Sequence, residues 1–129
     1  VTAALGCAAY AGIPLTHRDH AQTCVFATAQ GRAGRLDHDW PALIKPGQTV
    51  AIYMGLKEIA AVAADAIAKG VDPSTSAAII DNGARAGQQV VTGTLATLAE
   101  KAGAANLRGP TIIIVGSVVT LREKLAWRG

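Results

Sequence analysis

The sequence predicts a layered α/β domain of about five strands. Three observations lead there. Short β-branched runs alternate with Ala-rich segments of helical spacing. Thr49–Leu56 (Thr-Val-Ala-Ile-Tyr-Met-Gly-Leu) passes from a strand-like run, through Met54-Gly55, straight into a helical pattern. Such a crossover sets its turn at the carboxyl end of a sheet, where open α/β sheets bind ligands. Finally, Thr111–Val115 (Thr-Ile-Ile-Ile-Val) has the near-continuous apolar character of a strand covered on both faces.

The elements follow in order. Val1–Ala11 reads as an Ala-rich helix with Thr2 placed to cap it, Gly12 to stop it and Pro14 just beyond. No strand precedes this apolar helix, and the chain opens on Val1 rather than Met. Both facts lead us to expect that the chain is part of something longer. Thr23–Thr28 has strand composition, and Gln30–Leu36, with Gly31 and Gly34 among Arg32 and Arg35, reads as a mobile polar loop. Asp39–Ile44 suits one helical turn with Asp39 at the cap and Pro41 in the first turn. Pro46-Gly47 signals a turn before the strand Thr49–Tyr53. In Leu56–Lys69 the residues Leu56, Ile59, Ala60, Val62, Ala63 and Ile67 keep helical spacing, and Gly70 stops the helix.

Ala77–Ile80 is a short strand, Asp81–Gln89 a polar loop and Val90-Val91 a strand fragment. Thr94–Lys101 is read as a helix capped by Thr94 and stopped by Gly103. After a loop at Asn106–Pro110 comes the strand Thr111–Val115, broken by Gly116. Val118–Leu125 then forms a terminal helix or turn that Trp127 would dock.

Composition narrows the function classes. With 129 residues there is room for one substantial core. Half the residues are hydrophobic and 16% are charged, which excludes a disordered chain. The net charge of +3 is scattered, without a Lys/Arg run interleaved with aromatics, so no nucleic-acid partner is expected. Cys7 and Cys24, lacking a CxxC spacing, fit a reducing, cytoplasmic setting without a disulfide framework. The apolar runs fall short of the roughly 18–20 residues a membrane span needs, and Val1–Ala11 lacks the basic region of a signal peptide.

No GxSxG, HExxH, P-loop or Cys/His metal set is present, so no catalytic acid or base and no metal site is assigned. His17-Arg18-Asp19-His20 is the densest polar cluster. On a strand its two histidines would point to opposite faces, which suits a structural or substrate-edge role better than a metal site. Asp81-Asn82-Gly83 reads either as a plain turn or as a backbone edge for a flat ligand, and Gly116 admits the same two readings. Met54 either fills the core or touches a ligand. Met54-Gly55, Gly83 and Gly116 each follow a strand, so their loops are expected to rim one end of the sheet as a cleft.

A set of motifs adds a resemblance. Gly12-Ile-Pro-Leu-Thr-His-Arg-Asp19, Tyr53-Met-Gly-Leu56, Asp81-Asn-Gly83, Val90-Val-Thr-Gly-Thr-Leu95, Ile114-Val-Gly-Ser-Val-Val-Thr-Leu-Arg122 and Leu125-Ala-Trp127 run in order along nearly the whole chain. In this the chain resembles the C-terminal half of uroporphyrinogen-III C-methyltransferases, the methylase module of sirohaem synthases. The resemblance implies two α/β domains with S-adenosylmethionine between them. Residues 1–15 would be the last helix and linker of the first domain. Residues 16–129 would be the second, with a mixed sheet of about five strands and flanking helices.

It also implies transfer of methyl groups to C2 and C7 of uroporphyrinogen III, giving precorrin-2 and S-adenosylhomocysteine, by a homodimer. Thr2 and Ala3 match a pair that contacts the donor, Met54 matches a residue lying against donor and tetrapyrrole, and Gly83 matches one near the adenosine. The family commonly has Thr after Asn-Gly and Gln-Arg before Val-Val, where this chain has Ala84 and Gln88-Gln89. The family's Gly-rich donor loops and proton-handling residues would lie upstream of Val1. The rival readings are a non-catalytic tetrapyrrole-binding or dimerisation module and a methylase of a later precorrin.

Overall fold

Five strands, β1 (Ala21–Thr28), β2 (Gly47–Met54), β3 (Ser76–Asp81), β4 (Gln89–Thr94) and β5 (Thr111–Val115), form one sheet in the order β1-β2-β5-β3-β4. The computed structural model describes residues 12–28, 39–54, 59–81, 88–105, 107 and 111–121. Helices α1 (Trp40–Leu43), α2 (Ile59–Ala68) and α3 (Leu98–Ala104) and a 3₁₀ helix at Ser117–Leu121 complete the described elements. The expected helix at Val1–Ala11, the loop at Gln30–Leu36 and the tail around Trp127 lie outside these residues.

The sheet is mixed. β1 and β2 are parallel, while β5 runs antiparallel to both its neighbours, β2 and β3, and β4 runs antiparallel to β3. Thus β1, β2 and β3 point one way and β4 and β5 the other. The pleat explains why the central strands are apolar throughout. Val50, Ile52, Ala77, Ile79, Ile113 and Val115 pack with Trp40, Ile59, Val62 and Leu98 on the helical side. The alternate residues Ala51, Ala78, Ile80, Ile112 and Ile114 pack with Ile13, Leu15, Val118 and Val119 on the other. Both faces are covered, so no position on β5 is left for a polar outward face.

Several local expectations hold. Gln48 N–H donates to Lys45 O at 3.3 Å, closing the Pro46-Gly47 turn. Gly70, at φ 107, ends α2, with Val71 N–H donating to Ala66 O at 3.0 Å across it. That is the bond pattern of a left-handed C-terminal cap, which favours glycine.

Others need correction. Asp39 occupies the N-cap of α1, but its side chain makes no capping hydrogen bond. Thr94 does not cap α3. Register pairing with Ser76 holds it in β4, which is a six-residue strand rather than a two-residue fragment. The helix begins after Thr97, whose Oγ1 accepts from Thr94 N–H at 3.1 Å, and Gly103 lies inside α3 rather than ending it.

Candidate ligand-binding site

The strand directions decide where loops gather. The chain leaves β1, β2 and β3 at one end of the sheet, through Thr28, Met54 and Asp81, and enters β4 and β5 there at Gln89 and Thr111. Met54 pairs with Thr111, Thr111 with Asp81, and Asp81 with Gln89, making one row across four strands. With neighbouring strands about 4.8 Å apart, the ends of β2 and β3 lie about 10 Å from each other with β5 between them.

This end carries most of the sheet's buried polar side chains among the described residues. Among the described residues the buried polar side chains are Thr49, Asp81 and Thr111, and two of the three sit in this row. Asp81 is 2% exposed and Thr111 4%. A buried carboxyl or hydroxyl is costly unless hydrogen-bonded, and neither of these is without a partner.

Of the residues singled out from the sequence, Met54 closes β2 in this row. Gly83 comes two residues after Asp81 and lies outside the described residues, as do Thr2 and Ala3. The backbone thus brings Met54 and the start of the Asp81-Asn82-Gly83 stretch to the same end. Thr111 was missed as a site residue. The available signal was a hydroxyl at the mouth of an otherwise apolar strand.

Gly116 does not join this rim. Because β5 is antiparallel to β2 and β3, its carboxyl end lies at the far side of the sheet. There Gly116 N–H donates to Ser76 O at 2.9 Å, and the glycine lies against Gln48 and Thr49 of β2. The expectation of a three-loop rim assumed strands of one direction.

The His17–His20 cluster is also arranged differently from a strand. It is a tight turn ahead of β1, with His20 N–H donating to His17 O at 3.0 Å and Ala21 N–H to the same oxygen at 2.9 Å. The turn folds the two rings together, edge to face, with centroids 5.2 Å apart. His20 Nδ1 shares a 2.9 Å hydrogen bond with Ser117 Oγ and so ties the turn to the 3₁₀ helix. Among the described residues no group of three His, Cys, Asp or Glu is placed to hold a metal ion.

A cavity of about 720 Å³ opens at this far end, between the His17–His20 turn, the Lys45–Gln48 turn, the chain leading into β3 and the chain leaving β5. Its size suits a small molecule. Its polar side chains, however, are largely engaged with the protein itself. His20 bonds Ser117, Gln22 Nε2 donates to Arg18 O, Gln48 Nε2 donates to Leu43 O at 2.6 Å, and Asp72 accepts from Ser74. The Ser74 backbone and hydroxyl hydrogen bonds hold the Asp72 carboxyl below its usual value. The Met54 end, where the strand ends Met54 and Asp81 share one row, is the stronger candidate.

Comparison with known proteins bears on that end. Residues 1–99 match the family described as Tetrapyrrole (Corrin/Porphyrin) Methylases. The chain is 52% identical over 128 residues to a siroheme synthase of Methylococcus capsulatus, a match covering 98% of this chain and 27% of that protein. It is similar in structure to a uroporphyrin-III-C-methyltransferase from Thermus thermophilus, with a TM-score of 0.75 and 28% identity over 97% of this chain and 52% of the other. A Thermus thermophilus uroporphyrin-III C-methyltransferase in complex with S-adenyl homocysteine gives a TM-score of 0.72 at 25% identity, covering 89% of this chain and 50% of the other. The chain therefore spans about half of the solved enzymes and about a quarter of the curated relative.

Proposed function

The chain belongs to the tetrapyrrole methylases, and on that premise we propose that it is the carboxyl-terminal part of an S-adenosylmethionine-dependent C-methyltransferase acting on uroporphyrinogen III. The reaction would methylate C2 and C7 and give precorrin-2, on the route to sirohaem or cobalamin. The observation that carries this reading is the identity of about half the residues to siroheme synthases along nearly the whole chain. The placing of Met54 and Asp81 in one row supports it.

The chemistry at this end fits a nucleoside methyl donor. Strand-end backbone suits an adenosine, which offers both donors and acceptors. S-adenosylmethionine, when bound, supplies an electrophilic methyl group on sulfur. The part proposed for this chain is to bind, orient and keep out water. Thr2 and Ala3 are assigned to the donor, Gly83 to the surroundings of the adenosine, and Met54 to the boundary of donor and tetrapyrrole, where a flexible thioether makes close apolar contact. Alignment of the methyl with the attacking carbon is what such contacts contribute to rate. The reading includes a homodimer in the cytoplasm and a donor site completed by residues upstream of Val1.

The test is methyl transfer from labelled S-adenosylmethionine to uroporphyrinogen III. The longer protein should give a doubly methylated product and the 129-residue chain alone none. In the longer protein Met54→Ala should weaken donor or substrate use by about tenfold while leaving the unfolding midpoint within about 1 kcal/mol of wild type. Turnover by the chain alone, or transfer only to a later precorrin, would overturn the reading.

A further inference from the structure

Asp81 poses a question that fold stability does not answer. β3 is Ser-Ala-Ala-Ile-Ile-Asp, and its five positions from Ala77 onward are all buried. The pattern calls for an apolar residue at position 81, yet the position holds a carboxyl that is 2% exposed. Replacing a whole buried polar pair by well-packed apolar residues is often neutral or stabilising, whereas removing one partner alone is costly. A carboxyl placed there is better explained by what it holds in place than by stability.

The register identifies what lies beside it. Asp81 pairs across β5 with Thr111, itself 4% exposed, and Thr111 pairs with Met54 on the next strand. Directly opposed residues of adjacent antiparallel strands project to the same face with Cβ atoms about 5 Å apart. On the other side Asp81 pairs with Gln89, the first residue of β4. The buried polar pair thus occupies the middle of the strand-end row that begins at Met54. Asn82 and Gly83 continue the chain directly from Asp81.

We propose that Asp81, with Thr111 opposite it, is a positioning residue for the methyl-donor site, fixing the end of β3 against β5 so that the donor is presented with the right geometry to Met54. The assignment rests on the donor reading above. Asp81 is not a catalytic residue. It acts through the strand ends that it joins, and its effect falls on donor affinity.

The experiment uses the longer protein with Asp81→Asn, Asp81→Leu and Thr111→Val. Two readouts are taken: the dissociation constant for S-adenosylhomocysteine by calorimetry, and the urea unfolding midpoint without ligand. Asp81→Leu and Asp81→Asn should both bind about tenfold or more weakly, as expected when a hydrogen bond to a charged group is lost. Asp81→Leu leaves its partner unsatisfied and should lower the unfolding midpoint, whereas Asp81→Asn should keep it near wild type. Thr111→Val should weaken binding too, and the Asp81→Asn/Thr111→Val double variant should lose less than the two single losses combined, because the two residues act as a pair. In turnover the KM for S-adenosylmethionine should rise while kcat is largely kept.

Unchanged affinity in folded Asp81 variants would overturn the assignment alone. So would affinity losses that only track a fall in the unfolding midpoint, since that pattern marks a purely structural residue. Failure of the wild-type protein to bind S-adenosylhomocysteine would overturn the donor reading and the assignment with it.

Discussion

Replacing Gly116 by Ala tests the antiparallel placement of β5 at the point where it matters most. Gly116 has φ 144, a region that L residues rarely adopt. Holding a residue with a Cβ there costs about 1–3 kcal/mol. The new methyl group would stand 3.3 Å from Gln48 O and 3.5 Å from Thr49 Cα. The second is ordinary contact, but Gln48 O is a backbone atom that cannot swing aside, and its crowding adds about 1 kcal/mol. Nor can Gly116 retreat, because its N–H is held by Ser76 O at 2.9 Å and its carbonyl accepts from Val119 N–H at 3.2 Å. The expected loss is therefore about 2–4 kcal/mol.

Gly103→Ala is the matched control. Gly103 is exposed in α3, with nothing within 4 Å of the added carbon. There the same change should stabilise by about 0.5–1 kcal/mol, through helix propensity and reduced freedom of the unfolded chain. Denaturant unfolding followed by fluorescence of the buried Trp40 reads both variants. The same substitution should thus have opposite signs at the two sites. A Gly116→Ala variant within about 0.5 kcal/mol of wild type would refute the tight apposition of Gly116 on β2.

Further predictions concern three other groups. Thr49 Oγ1 is buried without a hydrogen-bond partner, so Thr49→Val should be neutral or stabilising by up to about 1–2 kcal/mol, and a clear loss in unfolding free energy would show that the hydroxyl is engaged. Trp40 is fully buried and its Nε1 donates to Asp65 Oδ2 at 2.6 Å. Trp40→Phe should therefore cost about 2–4 kcal/mol by loss of volume and of a charge-assisted bond, measured by the same unfolding. Burial raises the Cys24 thiol above its ordinary value of 9.0. Its folded-state pKa therefore lies above the unfolded one, so the stability linked to it is complete below the unfolded value and declines as pH rises through the folded one. In a Cys7→Ser background, alkylation of the folded protein should need a higher pH than that of the unfolded chain. Coincident pH profiles would contradict the burial.

Much of the fold was legible because burial on two faces leaves a plain mark. The runs at Thr49–Tyr53, Ala77–Ile80 and Thr111–Val115 are apolar without alternation, and they form the three central strands. Direction is different. Periodicity states which residues are buried and is silent on which way a strand runs. That is why Gly116 was placed at the wrong end of the sheet while Met54 and Asp81 were placed together correctly. Short polar stretches were the other weak point. His17–His20 carries no apolar period, so nothing in it distinguished a strand from the hydrogen-bonded turn that it forms. Thr94 is a good cap residue by type, but its pairing with Ser76 overrides that local preference.

The direction of β5 also explains why the two sides of the candidate site are anchored by different means. After β2 the chain goes on to α2, whose Ile59, Val62 and Ala66 are buried in the core on the helical face. Met54 thus stands near an element held by apolar packing. After β3 only the seven residues 82–88 separate Asp81 from β4, its antiparallel neighbour. That is shorter than the dozen or more residues that a helical crossover requires. As antiparallel neighbours, β3 and β4 need no helical crossover between them. At the end of β3 a buried carboxyl stands in register with a buried hydroxyl, so the proposed positioning role rests on polar rather than apolar groups. Changes to the buried face of α2 should accordingly act on the site through stability, and changes at Asp81 should act on it through affinity.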